Sequence, residues 1–297
     1  MRRALLDEFR RKNDTTDVSW FETEAGRADL QNHLIGRTNW FRDAVIPWLS
    51  SEMPLEGSRI LEIGAGTGSS TVVLSKAGAA HIDAIDIDEH ALDIARIRAG
   101  FYELDDIAFR LLNATELDRL DGEPHDLIIF FASLEHMLHE ERKVAIPLAW
   151  RRLRPGGWLC VIDTPNRLWY MDRHTSLLPF FHWLPDDVAV DYCRFVPASE
   201  IARRMQAAQP DQAAELLARL GRSISYHDFE LTIGKMDELP RVSGMAEFYR
   251  NRDLAWTEQV WAKSPEGLYH AFLRATAPHV PPAFFEEGLN LVIRRDC

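Results

Sequence analysis

The 297-residue sequence predicts a doubly wound α/β protein, and three observations carry that expectation. Short apolar runs alternate with helical segments between residues 58 and 164, the first such run ends in a glycine-rich turn, and 46% apolar composition suffices for a large core. Alternation of this kind demands a parallel sheet with helices on both faces, because each crossover between parallel strands carries a helix back over the sheet.

Each element follows from local chemistry. Residues 26–49 place aromatic and aliphatic side chains on one side of one or two helices. Leu55-Glu56-Gly57 turns into the strand RILEI, and a helix runs from about Ser69 to Lys76. HIDAIDI is the second strand, after which Asp88 caps a helix through ALDIARIRA. IAFRLL and DLIIFF follow as strands, then a helix from about Leu138 to Leu153, the turn Arg154-Pro155-Gly156-Gly157, and the strand WLCVID. Further on, VPASEIARRM reads as a helix, SISYHDFELTI as a long strand and GLNLVIRR as its antiparallel partner. The chain between those last two is helical in pattern and too long for a hairpin. The expected organisation is a helical N-terminal arm (1–57), a core (58–239) that includes a loop over 165–196, a helical cap insertion (240–285) and a C-terminal strand (286–297).

Charge and cysteine content narrow the function. With 34 basic against 46 acidic residues the net charge is −12, which disfavours a groove for a phosphate backbone. Cys160, Cys193 and Cys297 are few and widely spaced, and MRRALLDEFRRKND lacks the apolar core of a signal peptide. No apolar run reaches the roughly 20 residues of a membrane span. A cytoplasmic protein without a nucleic-acid partner is expected.

The stretch ILEIGAGTG, residues 60–68, closes the first strand. Ligands of open α/β sheets sit beyond the carboxyl ends of the strands, where strand order reverses. Gly64, Gly66 and Gly68 let the backbone turn sharply and approach a ligand. The spacing is G-x-G-x-G, with Ser69 where a dinucleotide fingerprint has its third glycine, and Glu62 would repel a pyrophosphate. An ammonium or sulfonium ligand suits that acid better.

These residues resemble the class I S-adenosylmethionine-dependent methyltransferases, strongly over about residues 58–166. Glu62-Ile63-Gly64-Ala65-Gly66-Thr67-Gly68 is similar to the family's first motif, which wraps the methionine part of the cofactor. Asp86 at the end of the second strand, followed by Ile87, matches the family's ribose-binding acid, and a carboxylate can accept from both hydroxyls of a diol. Asn113-Ala114 stands where the family has Asp-Ala beside the adenine amine; Asn113 is either that contact or a turn residue. Phe131 to Glu135 follow the fourth strand, Leu134-Glu135-His136 resembles a signature of small-molecule members, and Pro155-Gly156-Gly157 resembles the family's turn before strand five. The resemblance implies a Rossmann-like seven-stranded sheet and S-adenosylmethionine as cofactor.

Methyl transfer needs alignment, exclusion of water and removal of a proton. His136 is the candidate base, and Glu135 orients cofactor or acceptor or caps the next helix. Arg37 either pairs with the cofactor carboxylate or is a solvated surface residue. Residues 163–185 are too aromatic for a solvated loop: Asn166, Trp169, Tyr170, His174, His182 and Trp183 are candidate acceptor contacts, with His174 or His182 an alternative base. Tyr249, Trp256, Trp261 and Tyr269 in the cap are further pocket candidates, and no spacing marks a metal site. The expected activity is O-methylation of a small polar hydroxylated acceptor, a saccharide or phenol. Alternatives are N-methylation of a small molecule and non-catalytic cofactor binding. Asn- or Asp-Pro-Pro-aromatic, which adenine-modifying members carry after the fourth strand, is replaced here by Phe131-Ala132-Ser133-Leu134.

Overall fold

The computed structural model describes residues 24, 27, 31–195, 204, 205, 207–209, 211–252 and 261–296. Its strands are β1 (Arg59–Ile63), β2 (His81–Asp86), β3 (Ile107–Leu111), β4 (His125–Phe131), β5 (Leu153–Pro165), β6 (Val242–Gly244) and β7 (Gly288–Arg294). They form a seven-stranded sheet in the order β3-β2-β1-β4-β5-β7-β6, so the Rossmann-like α/β expectation holds. β1, β2 and β3 pair in parallel, while β7 is antiparallel to both β5 and β6. The chain forms two compact units, Met1–Ile129 and Phe130–Cys297.

In the first unit a helical run, α1 (32–52), buries Phe41, Val45, Trp48 and Leu49, at about 1.5–3 kcal/mol for each large apolar side chain. Two of its turns are wide, closed by Arg37 N–H to Asn32 O and Ile46 N–H to Phe41 O. β1 and β2 are buried along nearly their whole length, as strands covered on both faces must be. α2 (Thr71–Lys76) follows the glycine loop, and α3 (Glu89–Phe101) starts where the Asp88 side chain accepts from His90 N and Ala91 N. That cap is the one the sequence marks.

The second unit departs from expectation in three places. Residues 223–233, expected as a strand, contain α7 (Tyr226–Glu230), because Ser225 and Asp228 form a reciprocal capping box and Phe229 packs on Phe284. The partner of β7 is instead β6, at residues assigned to the cap, so the 240–285 insertion is not wholly helical. Arg154 to Gly157 belong to β5 and are held by the chain beyond β7, through Gly156 N–H to Arg295 O and Arg295 N–H to Gly157 O. The remaining helices are α4 (His139–Arg152), α5 (Asp186–Phe195), α6 (Ala213–Arg219), α8 (Met245–Arg250) and α9 (Pro265–Thr276). Most of VPASEIARRM, the 1–23 segment and Trp256 lie outside the described residues. Among the described residues no helix is long and apolar enough to cross a membrane.

One buried charge organises the first unit. Asp83, 2% exposed on β2, receives His125 Nε2 at 3.1 Å and Arg110 Nε at 3.1 Å, with His81 Nε2 at 3.3 Å. Burial alone would raise its carboxyl, but the His125 and Arg110 hydrogen bonds and the attraction of His81 hold it well below the usual carboxylate range. A depressed folded value stabilises above the unfolded value of 3.8 and is lost as pH falls below it. Asp83→Asn should therefore cost about 3–5 kcal/mol at neutral pH, the range for breaking a buried pair. Urea denaturation at stepped pH should show that cost shrinking below about pH 4, where the Asp83 carboxyl of the unfolded chain takes up a proton and that of the folded chain does not.

Candidate active site

Gly64, Gly66 and Gly68 take φ of 81°, 51° and 73°, the left-handed region that glycine enters without strain. At Gly68 the constraint is also steric: a Cβ would stand 2.8 Å from the Ala95 Cβ of α3. Around Gly66 the space is open, the nearest atom to an added Cβ being Gly64 O at 4.0 Å, so a ligand can approach that backbone. Gly64 N–H and Ala65 N–H both reach Ile85 O on β2, and Gly66 N–H donates to Asp86 Oδ2 at 2.7 Å.

Glu62 lies beneath this loop, fully buried. Its carboxylate accepts from the Ser70 hydroxyl and from Thr71 Oγ1 at 2.6 Å, tying the end of β1 to the first turn of α2. Burial pushes the carboxyl up to about 7, repulsion from Asp86 adds to that, and the two hydroxyls oppose it. A cation nearby would reverse the shift. Arg98 of α3, also buried, donates Nε–H to Thr67 O at 2.9 Å and fixes the loop from the other side. The sequence reading passed over Arg98, although an arginine in the apolar stripe Ala91, Leu92, Ile94, Ala95 and Ala99 is a readable signal.

Asp86 accepts from Gly66 N–H and Asp88 N–H, one per oxygen, and a carboxylate retains further lone pairs for a diol. Ile87 beside it is exposed and Ala114 is buried. Asn113 Oδ1 is taken by Thr115 N–H and Thr115 Oγ1, both at 2.9 Å. The turn role therefore occupies the oxygen expected to accept from adenine. Arg37 is half-buried on α1, and its guanidinium makes no ion pair with a described residue.

In the second unit, Phe131 is buried and Ala132 has a left-handed φ of 45°, which re-aims the chain into the turn Leu134–His136. Glu135 is fully buried and its Oε2 receives the Thr164 hydroxyl at 3.2 Å. His136 Nδ1 lies 2.9 Å from Arg219 O; a carbonyl only accepts, so Nδ1 carries a proton, and in the neutral ring Nε2, 3.8 Å from Glu135 Oε1, holds the lone pair. Arg219 is itself fixed by a two-pronged pair with Glu141 at 2.5 and 2.8 Å. His174, exposed, joins them: one ligand atom each from Glu135, His136 and His174 lies within 4.8 Å of the others. Such a cluster can move a proton or hold a divalent cation.

The other expected acceptor contacts each have partners within the fold. His182 is 2% exposed, its Nε2 3.3 Å from Asp172, and burial lowers it to about 4 despite that carboxylate. Asn166 is spent on Phe284 O, Glu286 O and Leu168 N–H. Trp169 is buried against Tyr170 and Tyr269, whose hydroxyl reaches Leu168 O at 2.8 Å. Tyr170 donates to Glu266 at 3.3 Å, and Trp183, half-exposed, donates Nε1–H to Arg167 O. The aromatic density of 163–185 thus closes the fold around His174, the one histidine of that segment left at the surface. Trp261 lines a cavity of about 390 Å3 with Arg250 and His270.

The family model described as "Methyltransferase domain" matches residues 60–157. An enzyme named ubiquinone biosynthesis O-methyltransferase, from Neisseria meningitidis serogroup C, is 24% identical over 65% of this chain and 77% of its own. Its namesake from Aromatoleum aromaticum is 29% identical over 58% and 71%. Among solved structures, magnesium protoporphyrin IX methyltransferase from Synechocystis PCC 6803 overlaps with a TM-score of 0.40 at 22% identity, over 55% of this chain and 68% of that one. Residues 60–157 thus carry the sequence pattern of a methyltransferase domain.

Glu62 makes a pH-dependent prediction. Its folded value of about 7 exceeds the unfolded 4.5, so its stabilising contribution is full below pH 4.5 and lost as pH rises through 7. Between pH 4.5 and 7.5 the wild type should lose about 3 kcal/mol relative to Glu62→Gln, at about 1.4 kcal/mol per unit. Denaturant titrations of the ligand-free proteins measure that difference directly.

Proposed function

We propose that the chain catalyses S-adenosylmethionine-dependent O-methylation of a small hydroxylated molecule. The observation that carries this reading is the left-handed glycine loop, tied to Asp86 through Gly66 N–H and resting on the buried Glu62. When bound, the cofactor supplies a sulfonium-activated methyl group. Asp86 accepts its ribose hydroxyls, the open face at Gly66 admits its methionine part, and Glu62 complements its positive charge. His136 Nε2, its tautomer fixed by Arg219 O, removes the acceptor proton. O-methylation is supported by the names of the relatives. The buried free thiols of Cys160 and Cys193 support a cytoplasmic setting, and the net charge of −12 supports an acceptor other than nucleic acid.

A second reading of the same cluster has one observation in its favour. Glu135 Oε2, His136 Nδ1 and His174 Nδ1 are held by Thr164, Arg219 O and Thr175, as the outer partners of a metal site would hold them. A divalent cation there would ionise the acceptor hydroxyl and make His136 a ligand.

Two measurements test the proposal. Asp86→Ala should weaken S-adenosylmethionine binding by about 1.5–3 kcal/mol in calorimetry, and near pH 7 wild-type binding should release a proton that Glu62→Gln does not. Tight NADH binding without response to S-adenosylmethionine would sink it. In turnover with phenols, saccharides and amines, His136→Ala should lower the rate about 10²–10⁴-fold with cofactor affinity preserved. Loss of turnover on chelation, restored by a divalent cation, would favour the metal reading over the base.

A further inference from the structure

A cavity of about 640 Å3 in the second unit has none of Glu135, His136 and His174 in its wall. It is walled by Arg142 of α4, Arg167 after β5 and Arg222 after α6, with Asp186, Asp228 and His139 among their neighbours. Its size falls within the range of small-molecule sites.

The arginines are not equally compensated. Arg222, 4% exposed, is locked by Asp186 at 3.0 Å and by Leu184 O at 2.7 Å. Arg142, 6% exposed, has one ion pair, Nη1 to Asp228 at 3.2 Å, while its Nε and Nη1 make no hydrogen bond among the described residues. Asp228 is shared, since it also caps α7 through Ser225 N–H. Glu215 at the rim lies 3.7 Å from Arg219. The Arg167 guanidinium has no hydrogen bond or ion pair to any described residue. Three carboxylates line the wall, Asp186, Asp228 and Glu215; Asp186 pairs with Arg222 and Asp228 with Arg142, which leaves Arg167 without a paired carboxylate among the described residues.

Burying like charges together is unfavourable, and after burial itself the charge of Arg167 is what most lowers the Arg222 guanidinium. An oxyanion supplies what the wall lacks: negative charge for Arg167 and acceptor oxygens for the Arg142 N–H groups, in the fork geometry that guanidinium presents to phosphate and carboxylate. We propose that this cavity binds a small organic molecule through a phosphate or carboxylate group seated among Arg142, Arg167 and Arg222. The assignment stands apart from methyl transfer. Ala218 lines the cavity and precedes Arg219, whose carbonyl fixes His136, so an occupant also touches the segment that orients that imidazole.

The test is calorimetric titration of the full chain with inorganic phosphate and, separately, citrate, at constant ionic strength, alongside thermal unfolding. Wild type should bind at least one of the two saturably, with a rising unfolding midpoint. Arg167→Gln should weaken that binding about 10- to 100-fold, the effect of losing hydrogen bonds to a charged group, while its midpoint without anion stays at or above wild type. Arg96→Gln, a surface arginine of α3, should bind as wild type does. Phosphate alone or citrate alone supports the site and names its oxyanion. Saturable binding of neither anion, or equal binding by Arg167→Gln and wild type, overturns the proposal.

Discussion

The contact between Glu62 and the hydroxyls of Ser70 and Thr71 is the constraint on which the glycine loop depends. It places a carboxylate with no exposure between the last residues of β1 and the first turn of α2, so the loop between them cannot shift without breaking two buried hydrogen bonds. Arg98 holds Thr67 O from α3, Ile85 O receives two loop N–H groups, and Asp86 receives a third. A loop of glycines is entropically costly to order. Here the order is imposed by the polar groups beneath and beside it, leaving the backbone around Gly66 open to a ligand.

The second unit solves a different problem, that of bringing one buried and two solvent-accessible ionisable side chains together. Left-handed residues at Ala132 and Asp163, with a register shift between Val161 and Thr164, bend the ends of β4 and β5 away from regular pairing. Those bends carry the chain into the Glu135–His136 turn and into the loop that bears His174. Asp172 then gathers the loop by accepting from the N–H groups of His174, Thr175 and Ser176. The cluster is held from outside by backbone and hydroxyl partners, so the groups facing one another are preorganised.

Legibility in the sequence followed the range of the interaction. The parallel strands, the Asp88 cap, the glycine loop and Asp86 were readable because each is set by residues close in sequence. Residues 223–233 misled because their period-two alternation of apolar side chains resembles a strand, whereas the Ser225–Asp228 capping box and the packing of Phe229 on Phe284 make a helix. For His182 and Asn166 the sequence gives no such local signal, because a polar residue in an aromatic loop looks the same whether it faces a ligand or an internal partner. Their internal partners, Asp172 and the carbonyls of Phe284 and Glu286, are remote or unremarkable in sequence.

By itself the sequence determined the α/β class, the succession of the first five strands along the chain, the methyltransferase-like motif and the candidate acids and bases, since period, caps and glycine spacing are local properties of the chain. Tertiary structure alone decided that β6 rather than residues 223–233 pairs with β7, that His136 carries its proton on Nδ1, that Glu135, His136 and His174 converge, and that three arginines share one cavity. Those outcomes depend on which remote backbone carbonyl or carboxylate a side chain meets after the chain has closed. Burial then sets the charge state, which is why Glu62 rises to about 7 while Asp83 falls below its ordinary range.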